Sequence, residues 1–347
     1  MSHIEIVQFA RDMVRVKVLS KFGNRPERTA PDYIERAGVC FVYDSLCREY
    51  DWLVVYDEMP MKGDISMWEA EELACPRERT ILITVEPPSI KLYPRCYTSQ
   101  FGYVLTTHSP VALPHPNRIY GEGCLDWCAG ITYEEAHAKH DFPKSKTIAT
   151  VCSAKQQTHT LHSKRYALTK YIADRLPELD WYGWGVKKLD KKVDAQDDYR
   201  YSIAVENYVA PYHWTDKIAD PLLSMCLTFY VGDPRLEEVF PAESFIRIPL
   251  ENHEEAYQII RKAIDENEYE KRLPAIREAR RRLIEQNNMF NRVASLISQH
   301  QEKYGEKSQS GKTFILKGRH RLRRNVFNLI SECWGKIRYS LACSLGK

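Results

Sequence analysis

Short apolar runs alternate with polar turns through the first half of the chain. Val39–Tyr43, Trp52–Tyr56, Thr80–Val85 and Tyr103–Thr106 are rich in β-branched and aromatic residues and are mostly bounded by Gly, Pro or Asp, which predicts strands. Helix-like stretches such as Ser66–Ala74 lie between them, and strands separated by helices predict parallel βαβ units. A second series follows the polar segment His140–Lys146. It reads as a strand over Ile148–Cys152, a helix over His162–Leu176, a strand end at Trp181–Trp184 and a strand over Tyr201–Val205. A helix over Asp216–Met225 and a strand over Leu227–Val231 complete it. From His253 to His300 the periodicity is helical, interrupted once at Pro274. The pattern predicts an α/β chain with an N-terminal lobe over 1–143, a second lobe over 144–304 whose last helices return toward the first lobe, and a separate segment over 305–347. In open parallel sheets the carboxyl ends of the strands form the ligand edge, and a cleft between two lobes is the expected binding place.

The length of 347 residues agrees with two domains at a prior of about 150 residues each. A composition 44% hydrophobic and 28% charged excludes wholesale disorder. No apolar run reaches the roughly 18 residues a membrane-spanning helix needs. The net charge of +3 hides an uneven spread: residues 301–347 carry 11 Lys/Arg against 3 Asp/Glu, a balance of +8, so the rest carries −5.

Glu5, Arg11, Asp12, Arg15 and Lys17 interrupt the N-terminal stretch, so no signal peptide is expected there. Ten scattered cysteines and no Asn-x-Ser/Thr acceptor predict a reducing, cytosolic setting with free thiols. Cys124 with Cys128, and His159 with His162, have spacings that occur in zinc sites. Neither pair has a second pair nearby, and ordinary thiols and imidazoles are the simpler reading. Gly305–Thr313 resembles a phosphate loop but has five residues between its glycines where four are needed, so it reads as a linker. No G-x-G-x-x-G follows a strand.

The informative segment is Tyr199–Leu223. A hydrophobic strand ends in Glu206-Asn207, and after a short loop Thr215 is placed to cap a helix whose first turn holds Asp216 and Lys217. A helix N-terminus with a lysine suits a phosphate, and Asp216 can accept hydrogen bonds from sugar hydroxyls. Ordinary capping with a surface lysine is the alternative reading of these residues alone.

The wider order of residues resembles the α-1,3/4-fucosyltransferases, glycosyltransferase family 10. Tyr199-Arg-Tyr201-Ser-Ile-Ala-Val-Glu206-Asn207, Thr215 with Lys217, Leu222-Leu223, Gly232 and Pro241–Ile246 follow that family's signature in order. Upstream, His162-Ser-Lys164-Arg165 and Trp181–Gly185 resemble its basic helix start and its Y-G-x-G turn. The likeness is strong over about 150–300 and thinner before. The sequence departs at Asp216, where the family has Glu, at His213, where it has Tyr, and at Thr228 and Val231, where it has Pro and Tyr.

The resemblance implies a GT-B fold, two Rossmann-like lobes facing a cleft, with GDP-β-L-fucose as donor and an inverting transfer that gives an α-linked fucoside. It implies Arg165 and Lys217 as partners of the diphosphate and Asp216 as a ribose ligand. Glu206 and Asn207 would line the donor pocket. His213, Tyr199, Tyr201, Tyr212 and Gly183 are further donor-side candidates.

An inverting transfer needs a base for the acceptor hydroxyl and positive charge for the leaving diphosphate. Glu86 is the candidate base: it follows the strand Thr80–Val85 and opens Glu86-Pro-Pro-Ser-Ile, which resembles the family's acceptor-side element, and two prolines stiffen the loop. A solvated strand-end glutamate is the plain alternative, and Asp57, after Trp52–Tyr56, is the rival base. No Asp-x-Asp occurs, and metal independence is expected.

In the tail, Leu322, Val326, Leu329, Ile330, Cys333, Trp334, Ile337 and Leu341 recur at steps of 3 or 4, and Arg321, Arg323, Arg324, Lys336 and Arg338 supply charge. This fits an in-plane helix on an anionic membrane over 320–343. A helix packed on the protein or on another subunit is the alternative; RNA binding is the third reading, and no aromatic-rich RNA-binding element accompanies it. Together these readings predict a transferase on the inner face of the cytoplasmic membrane, acting on a glycan or lipid-linked oligosaccharide, as in lipopolysaccharide or O-antigen synthesis. No nucleic-acid partner is expected. A transferase for another GDP-linked 6-deoxy sugar and a non-catalytic scaffold are the alternatives.

Overall fold

The computed structural model describes residues 13–21, 33–36, 38–62, 66–67, 70–120, 127, 129–158, 160–304 and 314–345. The chain divides into two units, one of residues 1–124 with 289–347 and one of residues 125–288.

The first unit opens with β1 (Val14–Ser20), β2 (Tyr33–Arg36), β3 (Val39–Val42) and β4 (Trp52–Tyr56). A small ribbon of β5 (Met61–Lys62) and β6 (Ser66–Met67) and then β7 (Ala70–Glu72) follow. β8 (Thr80–Ile83), the single-turn α1 (Arg95–Thr98), β9 (Tyr103–Thr106) and β10 (Arg118–Tyr120) come next. One sheet runs β10-β9-β8-β4-β1-β3-β2, parallel except for β2, which is antiparallel to β3. Trp52–Val55 and Ile81–Ile83 are buried without a break. Such unbroken apolar strands belong to parallel sheets covered on both faces, which is why their pattern did not alternate.

The second unit contains α2 (Tyr133–Ala138), β11 (Lys146–Val151), α3 (His162–Ala173), β12 (Leu179–Tyr182), β13 (Tyr199–Val205) and α4 (Asp216–Leu223). β14 (Leu227–Val231), β15 (Phe245–Arg247), α5 (His253–Asp265) and α6 (Glu268–Glu285) complete it. Its sheet is wholly parallel in the order β12-β11-β13-β14-β15. Ile218 and Leu222 of α4 and Ala279 and Leu283 of α6 share one core with Trp214, Tyr230 and Phe240. Leu168 and Ile172 of α3 and Ile260 of α5 share another with Tyr201, Ile203 and Phe229. Each fully buried Leu, Ile or Phe side chain contributes about 1.5–3 kcal/mol. From β11 the chain goes out to β12 and returns to β13 on the other side, so the switch point lies between β11 and β13. Sheets of this kind hold ligands there.

The chain then returns to the first unit with α7 (Met289–Tyr304), β16 (Ile315–Lys317), α8 (Arg319–Arg323) and α9 (Val326–Ser344). Phe290 of α7 meets Phe41 edge-on at 5.0 Å, and His300 meets Trp52 at 4.9 Å.

Several expectations need correction. The unit boundaries fall at 124/125 and 288/289 rather than at 143/144 and 304/305, because Trp127 and Ala136 bury themselves in the core of the second unit and α7 in the first. The described residues of 66–74 are not helical: Ala70–Glu72 pairs antiparallel with Ile315–Lys317, and Leu316 is fully buried. The segment 314–345 is therefore built into the first unit. Pro274 does not interrupt the helix; α6 runs through it. The breaks are at Asn267, which takes the left-handed conformation at φ 53°, and between Glu285 and Met289. Within α6, Arg280 is turned inward: its guanidinium donates to the carbonyls of Leu223 at 2.8 Å and Lys139 at 2.9 Å.

The tail forms an amphipathic helix over Val326–Ser344 with its apolar stripe outward, not one helix over 320–343: Leu322 lies on the separate α8 and packs on the core of the first unit. Val326, Phe327, Ile330, Trp334, Ile337 and Leu341 are each at least 50% exposed. The inward positions are Asn328, Glu332, Gly335, Tyr339 and Ala342. No helix among the described residues is long and apolar enough to cross a membrane. Cys124, Cys128, His159 and Gly305–Thr313 lie outside the described residues.

Candidate active site

The second unit carries a narrow cavity at the switch point. Thr150–Cys152, at the carboxyl end of β11, and Ser202–Val205, at that of β13, form its floor; Arg165, Lys192, Asp216 and Lys217 form its charged wall. Arg165 comes from the second turn of α3 and is buried. Its terminal nitrogens donate to the carbonyl of Val205 and the hydroxyl of Ser153, both at 3.4 Å. Its Nε is buried without a hydrogen-bond acceptor. A guanidinium held this loosely in a dry wall keeps capacity for an anion.

Glu206 follows β13 directly and is fully buried. Its Oε1 accepts from the backbone N–H of Thr215 at 2.9 Å and from the Thr215 hydroxyl at 3.0 Å. Burial pushes its carboxyl upward, against the opposing charge of Lys217, whose Nζ lies 3.3 Å from Oε2. Thr215 caps α4 as expected, accepting from the N–H of Lys217 at 3.3 Å. One hydroxyl thus ties the strand end, the helix start and the lysine together.

Burial also acts upward on Asp216, but Lys192 and Lys217 outweigh it and hold that carboxyl well below the usual carboxylate range. Lys192 ion-pairs with Asp216 and reaches Asp220 Oδ2 at 3.2 Å. Sequence reasoning missed Lys192. It sits on a 3-10 turn, Lys192–Ala195, in a run of lysines and aspartates that gives no local sign of which one faces the site.

The other donor-side candidates divide. Gly183, after β12, has φ 138°, and a Cβ there would lie 2.6 Å from the Cys152 carbonyl oxygen, so only glycine lets the turn close on the β11 end. Asn207 is partly exposed, and its carbonyl accepts from the N–H of Leu161 at 3.2 Å, fixing the approach to α3. His213 is buried with its ring edge-on to Tyr208 at 5.4 Å. Tyr212, at φ 61°, donates its hydroxyl to Glu238 at 3.1 Å. Tyr199 donates to Asp180 at 2.6 Å, and Tyr201 to the carbonyl of Ala263 at 3.1 Å. None of Glu206, Asn207, Gly183, His213, Tyr212, Tyr199 and Tyr201 lines the cavity itself; Glu206 acts there through Thr215 and Lys217.

In the first unit Glu86 and Asp57 both follow strand carboxyl ends, and their surroundings differ. Asp57 is fully buried at φ 69°, with Lys91 at 2.6 Å and with Lys21 and the Tyr93 hydroxyl also bound to it. Burial acts upward on its carboxyl, and the two lysines and the tyrosine overcome this and hold it down. Glu86 is half-buried, and its carboxylate has no hydrogen-bond or ion-pair partner among the described residues. Its backbone is held by His108, whose Nε2 lies 2.8 Å from the Glu86 carbonyl oxygen. Burial depresses His108 to about 4, so the imidazole is neutral near pH 7 and donates through Nε2. His108 was not singled out from the sequence. Among the described residues no three His, Cys, Asp or Glu side chains are grouped to hold a metal ion.

No family model and no curated protein matches the chain. Among solved structures it is similar to an α1,3-fucosyltransferase with GDP-fucose, at TM-score 0.51 and 13% identity over 83% of this chain and 90% of that one. Another α1,3-fucosyltransferase structure is similar at TM-score 0.48 and 12% identity, over 86% and 90% of the two chains. A sucrose-phosphate synthase from Thermosynechococcus elongatus follows at TM-score 0.40 and 10% identity, over 86% and 92%. The first likeness establishes the fold: the chain has the GT-B fold, with one Rossmann-like sheet in each unit.

Proposed function

We propose that the chain is an inverting glycosyltransferase that moves L-fucose from GDP-β-L-fucose to a hydroxyl of a glycan acceptor, in α-1,3 or α-1,4 linkage. The observation that carries this reading is the cluster of Arg165, Lys192 and Lys217 around the α4 N-terminus at the sheet's switch point. Three cations gathered at the positive end of a helix dipole are what a nucleotide diphosphate needs.

The cavity, about 30 Å³, has room for little more than one water. Donor binding therefore opens it, and Lys192 and Lys217 exchange their carboxylate partners for phosphate oxygens. Asp216, released from Lys192, then accepts from sugar hydroxyls. In the transfer the acceptor oxygen attacks the anomeric carbon and the bond from that carbon to the β-phosphate oxygen breaks. GDP leaves with the bonding pair, and the acceptor proton passes to Glu86, the carboxylate with no competing partner. The cations take the charge that develops on the diphosphate. Metal is not required in this scheme; activity lost to a chelator and restored by Mn²⁺ would count against it.

The outward apolar face of α9 supports residence on an anionic membrane, and with it a lipid-linked acceptor, as in lipopolysaccharide or O-antigen synthesis on the cytoplasmic face. The test of the donor is thermal shift against a panel of nucleotide sugars. Stabilisation by GDP and most by GDP-fucose is the expected result. Preference for another GDP-linked 6-deoxy sugar would rename the donor, and no shift with any nucleotide would leave a non-catalytic scaffold.

A further inference from the structure

The first unit holds a second cavity, of about 1030 Å³, that the transfer scheme does not use. It is formed by the segments Pro76–Arg79, Ser99–Tyr103 and Pro114–Arg118, which enter β8, β9 and β10. It therefore lies at the amino ends of the parallel strands, whereas Asp57 and Glu86 follow the carboxyl ends. Arg338, from α9, closes one side.

Its chemistry is one-sided. Arg77, Arg79, Arg95, Arg118 and Arg338 line it, against the single carboxylate of Glu78. Arg118 donates to the carbonyl of His108 at 2.8 Å, Arg338 to that of Val111 at 3.1 Å and Arg77 to that of Ser99 at 3.4 Å. Each is oriented by a neutral oxygen that leaves its charge uncompensated and most of its five N–H donors open. Among the described residues no carboxylate forms an ion pair with Arg77, Arg95, Arg118 or Arg338. The two histidines of the wall register this field: burial lowers His115 and His300, and Arg77 and Arg79 lower them further.

Concentrated guanidinium groups of this kind select phosphate oxygens, and the helix that supplies Arg338 turns Trp334, Ile337 and Leu341 outward on neighbouring turns. We propose that this cavity binds the phosphate of an anionic lipid headgroup while the apolar face of α9 lies in the same bilayer surface. The proposal rests on the reading of α9 as a membrane-docking helix, and it is independent of which sugar is transferred.

The test uses the full chain and vesicles of phosphatidylcholine with and without phosphatidylglycerol, scored by co-sedimentation. Wild type prefers the anionic vesicles. Arg95→Lys with Arg118→Lys keeps both charges and loses the planar forks, and it binds those vesicles about tenfold more weakly. Arg77→Lys with Arg95→Lys alters only exposed side chains and gives the same direction if Arg118 proves necessary for folding. Unchanged binding by both folded variants would reduce the cavity to generic surface charge and overturn the proposal. So would stabilisation by inorganic phosphate without any preference for anionic vesicles, because the ligand would then be a soluble anion. Titration with GDP separates the two readings. The cavity variants keep wild-type GDP affinity, and a wild-type chain that prefers anionic vesicles but ignores GDP would sink the donor site and leave this site standing.

Discussion

Replacing Lys217 with alanine tests both the electrostatics of the donor site and its function. The lysine stands 3.3 Å from the fully buried Glu206. At an effective dielectric of about 20 a unit pair at this distance attracts by about 5 kcal/mol, and breaking a buried pair by deleting one partner costs about 3–5 kcal/mol. Glu206 has an escape: burial already raises its carboxyl, and without Lys217 it rises further and takes up a proton. A carboxyl whose folded pKa lies above its unfolded value contributes stability that is fully present below the unfolded pKa. That contribution is lost as pH rises through the folded value. The variant is therefore expected to be less stable than wild type at pH 8 and to recover much of the deficit at pH 5. Urea unfolding at both values checks this.

Nucleotide affinity follows a different course. One charge-assisted contact to a diphosphate is worth about 1.5–3 kcal/mol, so GDP binding falls roughly 10- to 150-fold in calorimetric titration. Adding Glu206→Gln removes the stranded carboxylate. The double variant should regain stability without regaining GDP affinity. An unchanged GDP affinity in Lys217→Ala would refute the phosphate role, and a double variant no more stable than the single one would refute the account of Glu206.

Glu86→Gln should abolish transfer while GDP binding stays as in wild type; near-normal turnover would sink the base assignment. Lys192→Met removes the main partner of Asp216, and GDP affinity should drop about tenfold, read by the same titration. In the folded chain His108 stays neutral down to about 4, whereas an unfolded imidazole titrates near 6.5, so the unfolded state binds the proton first as pH falls. Its contribution, on the order of 3 kcal/mol, is present above pH 6.5 and lost between 6.5 and 4; His108→Gln should flatten that slope in urea titrations. Gly183→Ala must move the Cys152 backbone, at a cost of about 1–3 kcal/mol in chemical denaturation.

The parts of the site that were legible in the sequence are local. Glu206, Thr215 and Lys217 span one strand end, one loop and one helix start, and strand burial and capping rules bring such neighbours together whatever the rest of the chain does. Lys192 joins them from 24 positions before Asp216 along the chain, through a fold contact that no local rule encodes. The same limit explains Ser66–Ala74. Its periodicity suited a helix, but Ala70–Glu72 finds a strand partner at Ile315–Lys317, and Glu71 is then held inward by Lys17 at 2.7 Å. Tyr201 had a signal that was overlooked. It belongs with Ile203 and Val205 to the core shared with α3 and α5, but it lies near the amino end of β13, away from the cavity at the carboxyl end.

The tail teaches the same lesson about direction. A helical apolar stripe is ordinarily read as the face that packs inward. In α9 the inward line is instead Asn328, Glu332, Gly335, Tyr339 and Ala342, and Glu332 is satisfied there by Arg323 at 2.7 Å and Lys336 at 3.4 Å. The ion-paired glutamate fixes the rotation of the helix. Turning the helix over would break those ion pairs while sending the apolar stripe inward. Six large apolar side chains at least half exposed leave on the order of 5–10 kcal/mol of burial unrealised in the isolated chain. The proposed residence on a membrane would give this surface the apolar phase it lacks in the isolated chain, and the arginines beside it would suit one with an anionic surface.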